Sequence, residues 1–313
     1  MIRALSIVFL LIIVSACQAQ QVPQYSHYIF NQFQLNPAVA GTGECLDLRF
    51  GFRNQWAGFD EGPKTQFGSV STRVGRSKDG PKHAIGLKFE TDQAARFSHS
   101  LVQLAYAYHF KLSRKMNASI GLFAGFNQFK VDLVGAQQVG PDLGTPDPIL
   151  ADQQSQNLLV PEVAPGFWMH NEQFFFGLSV KHLTGNTLLE NGEAKLLQHV
   201  NLSTGYAYKV GAKSHFIPSL RVGYVSAAPL AIDVNGMFDF DRKLALGVGY
   251  RNGDALVALA KFNFLNFFTL GYAYDMTLSP MKNAATNTHE VILAISACPS
   301  KGGGGSVPCA AYD

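Results

Sequence analysis

Large apolar residues recur at every second position in segment after segment, and this restricts the possible fold more than anything else in the chain. From His99 to Phe110, Val102, Leu104, Tyr106, Tyr108 and Phe110 alternate with Leu101, Gln103, Ala105, Ala107 and His109. A period of two separates these sets onto opposite faces of a strand, one large and apolar, the other small or polar. The pattern returns where Leu46, Leu48, Phe50 and Phe52 oppose Asp47, Arg49, Gly51 and Arg53. It returns again where Ile232, Val234, Phe238 and Phe240 oppose Asp233, Asn235 and Asp239, and where Phe268, Leu270, Tyr272 and Tyr274 oppose Thr269, Gly271, Ala273 and Asp275. Two segments are less clean. Ala255–Asn263 carries Val257 and Leu259 on its polar row, and Thr65–Val74 is weakly apolar throughout.

About fourteen such segments run from Cys45–Arg53 to His289–Ala297. An even number of tilted, alternating strands suits a closed antiparallel transmembrane β-barrel, because hydrocarbon cannot satisfy an open sheet edge. The connections alternate in length as such a barrel requires. Tight ones include Leu112–Lys115, Asn171–Glu172, Val210–Lys213, Asp241–Arg242 and Phe264–Asn266. The long ones are Val131–Asn157, His182–Leu197 and Met276–Thr288, and Arg251–Asp254 is a short exception among them. Short turns belong on the periplasmic side, which puts both termini there. A soluble all-β protein would also alternate, but its polar row would have to coat a solvated surface. Here that row is mostly Gly, Ala, Ser and Asn, which fits a restricted lumen holding Arg49, Arg221, Asp233 and Arg251. Only 15% of residues are charged, against about 25% in an ordinary soluble domain. The scattered Lys and Arg, with a formal net charge of +3, exclude a nucleic-acid stripe.

Arg3 followed by an apolar run to Ala16 and then Cys17-Gln18-Ala19 reads as a signal peptide over residues 1–19, too short to span a bilayer. Ordinary cleavage would fall before Gln20, while Val14-Ser15-Ala16-Cys17 also resembles a lipobox that would place a lipid on Cys17. After cleavage Cys45, Cys298 and Cys309 remain. Cys298 and Cys309 flank PSKGGGGSVP and could pair in an oxidising compartment or stay as thiols. The domain reading is therefore a periplasmic or luminal segment at 20–44, a barrel at 45–297 and a periplasmic tail at 298–313.

No HExxH, GxSxG, GxxxxGK[ST] or GxGxxG string occurs, so the common signals of zinc, serine-hydrolase, phosphate-loop and dinucleotide chemistry are absent. Asp142, Asp147 and Asp152 lack EF-hand spacing. No catalytic, cofactor-binding or metal-binding residue is expected. Two segments stand outside the strand repeat. The aromatic, amide-rich run from Gln24 to Gly41 either plugs the lumen, docks on a partner or packs along the inner wall. The connection Arg53–Lys64 holds Trp56 and Phe59 between Arg53 and Asp60, a chemistry suited to a partner contact and equally to a membrane-interface belt or an inward-folded loop.

QYSHYIFNQFQLNPAVAG, RNQWAGFDEGPKT and GYAYDMTLS followed by THEVIL resemble the signatures of the PorP/SprF family, found with the type IX secretion system of Bacteroidetes. Asn287-Thr288 stands where the family usually has Gly-Ser, and the Cys298–Asp313 tail is not explained by the resemblance. The resemblance implies a fourteen-stranded outer-membrane barrel, non-enzymatic, accessory to protein secretion, gliding motility or surface attachment of a secreted adhesin. Within it, Arg53, Trp56, Phe59 and Asp60 become candidate partner contacts. Tyr25, Phe30, Asn31, Asn36 and Pro37 mark the N-terminal signature. The partners expected are outer-membrane lipid, secretion components and an adhesin or its C-terminal domain. A passive pore or hydrophobic-solute channel is the competing reading.

Overall fold

A computed structural model describes residues 22–43, 46–75, 82–132, 156–186, 195–226, 228–265, 267–283 and 287–297. The alternating segments are fourteen antiparallel strands. They are β1 Leu46–Asn54, β2 Lys64–Val74, β3 Lys82–Ala94, β4 Phe97–Lys111, β5 Asn117–Val131, β6 Gln156–His170 and β7 Phe174–Lys181. β8 follows as His199–Tyr206 resuming at Tyr208–Lys209, then β9 Ser214–Val225, β10 Ala231–Phe240, β11 Leu244–Arg251, β12 Ala255–Phe264, β13 Phe268–Thr277 and β14 Thr288–Ala297. The two parts of β8 share one register against β9, Gly205 facing Ser219 and Tyr208 facing Phe216. The ladder lapses opposite Pro218, which has no N–H to donate. Every strand pairs with its sequence neighbours, and β1 pairs with β14 from Leu46↔Ala297 to Asn54↔His289, closing the ring. No sheet edge is left at the seam.

The period-two rows point as their chemistry demands. Leu104 is 67% and Val248 71% exposed on the outer face, a row that hydrocarbon can cover. Gln103, Ala105, Ala107 and His109 are buried on the inner face. Val257 and Leu259, the irregular pair in β12, point inward and join the core. Phe216, Phe238, Phe262, Phe264 and Phe268 cluster near the short-turn end, with centroid separations of 4.8 Å for Phe216–Phe238 and 5.3 Å for Phe264–Phe268. This is the composition of an interfacial aromatic girdle. β3 and β4 run further than the sequence pattern indicates and meet at Ala95-Arg96 alone. Their ends at that turn are polar on both rows, as at Asp92 and Gln93, so alternation stops there while pairing continues.

The core sits in the lumen. Residues 22–43 run inside the barrel with a four-residue helix, α1 Gln32–Leu35, and a 3₁₀ turn at Pro37–Val39. Tyr25, Tyr28, Phe30 and Phe33 are 0–4% exposed. Trp168 and Phe175 stack at 5.1 Å on the inner wall near the short-turn end and belong to the same core as Phe33 and Phe123. This segment starts at the end of the barrel opposite the one where β1 begins. Val22, Pro23 and Gln24 line a cavity with His199, Val225, Ala231 and Asp254, all at the long-connection end. Gly41 approaches Arg73 and Ala84 near the short-turn end, where β1 begins and β14 finishes. The sequence could not indicate this, because a polar aromatic run without periodicity carries no direction. Cys17, Cys45, Cys298, Cys309, the three Asp of the 133–155 connection and the 298–313 tail lie outside the described residues.

Candidate functional site

The four signature strings, scattered through the sequence, meet at one place in the half of the lumen nearer the long connections. The polar rows of β1, β13 and β14 carry Arg53, Asp275 and Glu290 inward, and the segment brings Ser26 between them. Arg53 donates from Nη1 to Ser26 Oγ at 2.8 Å and to Glu290 Oε2 at 3.1 Å, and from Nη2 to Asp275 Oδ2 at 3.0 Å. Ser26 Oγ donates to Asp275 Oδ2 at 2.6 Å. The Glu290 carboxylate accepts the backbone N–H groups of Ser26 and His27, each at 2.9 Å. Arg251 extends the cluster by donating to Asp275 at 3.1 Å and Asp233 at 2.7 Å, and Arg221 binds the other oxygen of Asp233 at 2.7 Å.

All six ionic side chains, Arg53, Arg221, Arg251, Asp233, Asp275 and Glu290, are at most 7% exposed. Three positive charges face three negative ones, so the burial is compensated rather than left to each ion singly. The arrangement is a latch that fixes the segment to the wall.

Below the latch, contacts to the wall continue down the lumen. The Tyr25 hydroxyl donates to Glu90, and its ring meets Phe67 edge-on at 4.7 Å. His27, in the Nε2–H tautomer its acceptors require, bonds the carbonyls of Tyr272 at 3.0 Å and Ala260 at 3.1 Å. Tyr28 and Ser219 hydroxyls are 2.9 Å apart. Phe30 lies under the Arg49 guanidinium at 4.8 Å and near the Lys261 ammonium at 5.3 Å, contacts of cation–π type. Lys88 donates to the Gln34 carbonyl at 2.8 Å, and Ser179 to that of Leu35 at 2.7 Å. Asn36 donates to the Phe167 carbonyl at 2.8 Å while its Oδ1 caps the Ala38 N–H. Ser119 bonds the Ala38 carbonyl at 2.6 Å, and His109 lies 2.7 Å from that of Ala40. Close approach here requires glycine in the wall. A Cβ on Gly121 would stand 2.6 Å from Ala38 N, and one on Gly166 would overlap the Asn36 side chain.

The N-terminal signature residues Tyr25, Phe30, Asn31, Asn36 and Pro37 are thus all buried in the lumen. The proposed loop group divides. Trp56 is partly exposed, and Phe59 and Asp60 are exposed, but Arg53 is 2% exposed in the latch. Arg53 still lies within β1, which ends at Asn54, so it takes the inward row instead of joining the loop surface. Trp56 adopts φ +56°, which is uncommon for a bulky residue. Its N–H donates to Thr288 Oγ1 at 3.1 Å, and the Ala57 N–H to the Asn287 carbonyl at 2.9 Å. Ser26, Asp275 and Glu290 escaped sequence reasoning as partners; the available signal was a charge on the inward row of each strand. Among the described residues no group of three or more His, Cys, Asp or Glu has the arrangement of a metal site.

The model of the type IX secretion system membrane protein family PorP/SprF matches residues 17–295, nearly the whole chain. The chain belongs to the PorP/SprF family. It is an outer-membrane β-barrel protein related to type IX secretion. No curated protein sequence matches it. Among solved structures, it resembles the Ralstonia pickettii toluene transporter TbuX, with a TM-score of 0.52 at 10% identity over 87% of this chain and 94% of that one. The Pseudomonas putida toluene transporter TodX gives 0.48 at 8% identity, covering 89% and 98%. A Pseudomonas aeruginosa FadL homologue gives 0.46 at 10%, covering 88% and 94%. At these identities the likeness to TbuX is one of fold. In this PorP/SprF chain each of the four strings contributes to the latch, through Ser26, Arg53, Asp275 and Glu290.

Proposed function

We propose that this PorP/SprF protein is a non-enzymatic, non-conducting barrel that serves type IX secretion as a docking platform, retaining a secreted adhesin at the cell surface on its long-connection face. The observation that carries this reading is the lumen, filled by the protein's own residues 22–43 and closed by the latch. A barrel built to pass solute has no use for so many contacts across its bore. The face with long connections is then extracellular and the short turns are periplasmic, with lipid against the apolar outer row.

Trp56, Phe59 and Asp60 are the proposed contacts. Phe59 is 39% exposed, and the bonds of Trp56 and Ala57 to residues 287–288 hold the loop in one conformation before a partner arrives. Little ordering remains to oppose binding. The test is co-purification from detergent extracts. Trp56→Ala/Phe59→Ala should lose the secreted partner while the barrel still assembles; full retention by an assembled double variant refutes the assignment. The fold of a hydrophobic-solute transporter favours the alternative of a channel, and the filled lumen opposes it.

A further inference from the structure

We infer that residues 22–43 cross the lumen from the long-connection end to the short-turn end, so that Val22 stands at the extracellular mouth of the barrel. The argument is the order of contacts along the segment. Val22–Gln24 line the cavity at the long-connection mouth, beside Tyr224, Leu230 and Asp254. Ser26 meets Arg53 and Glu290, which lie at the same end of their strands. Tyr28 has reached Ser219 in the middle of β9. Ala38 and Ala40 reach Ser119 and His109, near the short-turn ends of β5 and β4. Gly41, with φ +65°, turns the chain beside Ala84 and Arg73 toward the start of β1. The path descends overall, with one return at the helical turn, where Leu35 comes back to Ser179 and to the cavity that Val22–Gln24 line.

The consequence concerns both assembly and display. Tyr25, Tyr28, Phe30 and Phe33 are nearly inaccessible, in contact with the wall on several sides. They cannot slide through a finished ring, so the strands close around a segment already in place. The segment crosses the membrane with the hairpins, as the outer connections do. Val22–Gln24 then belong to the extracellular mouth, held there by the latch at Ser26, and face the same partners as the long connections. This rests on the orientation proposed above, and the experiment separates the two.

A short epitope is inserted before Val22, and in separate variants within 133–155 and between Ser113 and Arg114, in full-length protein expressed in its own outer membrane. Antibody binding is compared on intact and permeabilised cells, with assembly checked by the heat-dependent gel mobility of the barrel. The epitope before Val22 should give the same intact-to-permeabilised ratio as the one in 133–155. The epitope at Ser113 should appear only after permeabilisation. If the Val22 epitope behaves like the one at Ser113, the inference is overturned. If the signals at 133–155 and Ser113 are exchanged while the Val22 epitope still follows 133–155, the proposed orientation fails and the chain direction through the lumen stands. A protease site at the same position, cut on intact cells, gives a second readout should the epitope impair assembly; no cleavage in an assembled barrel, with cleavage after permeabilisation, overturns the inference as well.

Discussion

Replacing Arg53 by alanine removes one of three cations from a buried cluster with three anions. Asp275 keeps Arg251 at 3.1 Å. Among the described residues Glu290 loses the one cation that bonds it, and is left with the two N–H groups of Ser26 and His27. A carboxylate that is 0% exposed cannot recover its solvation, so the cost belongs to the class of broken buried pairs, about 3–5 kcal/mol. An exposed pair would count for about 0–1 kcal/mol. The larger figure corresponds to roughly 10²–10⁴-fold in the unfolding equilibrium. Urea unfolding of the barrel in lipid vesicles measures it. Arg53→Met combined with Glu290→Gln removes the stranded charge while leaving an amide oxygen for one of the two N–H groups, and should recover about half of the loss or more. An Arg53→Ala variant within about 1 kcal/mol of wild type, or a double variant no more stable than Arg53→Met alone, would refute the claim that the latch holds the segment by compensated burial.

Three further outcomes follow from the same structure. Gly121→Val places side-chain atoms against the Ala38 backbone, 2.6–2.7 Å from an added Cβ, and should cost about 1–3 kcal/mol by displacing the segment, read as a lower midpoint in the same urea titration. Val248→Arg, on the outer face at 71% exposure, should destabilise the barrel in vesicles by about 2–4 kcal/mol near the bilayer midplane. Val248→Leu should leave the midpoint within about 0.5 kcal/mol of wild type. Ser26→Ala removes the hydroxyl shared by Arg53, Arg251 and Asp275 but keeps the backbone N–H bond to Glu290; about 1–3 kcal/mol should be lost, less than for Arg53→Ala.

The barrel was legible in the sequence because lipid and lumen impose opposite demands on successive residues. Even the irregular β12 obeys the rule once Val257 and Leu259 are seen to face a lumen that contains Phe30 and Tyr28 instead of water. Strand ends were less legible, since at the turn between β3 and β4 both rows are polar, as at Asp92 and Gln93. The latch could not be read at all as a set of pairs. Arg53 and Glu290 are 237 positions apart and Arg53 and Asp275 are 222 apart, and a charge on an inward row does not name its partner. Arg53 fell under two readings, the polar row of the first strand and the loop motif with the Trp and Phe that follow it; the strand continues through Asn54 and turns the guanidinium inward, which leaves the first. The luminal segment was recognisable as something other than a strand, yet aromatic and amide residues suit a plug, a docking arm and a wall lining alike; only the inward charges and wall glycines of distant strands decide between them.

Ion conductance in planar bilayers tests the filled lumen most directly. Reconstituted full-length barrel should pass no steady current, and a variant lacking residues 22–41 that still shows barrel mobility on gels should open a lasting conductance. Steady current through the intact protein, equal to that of the deletion variant, would contradict the account.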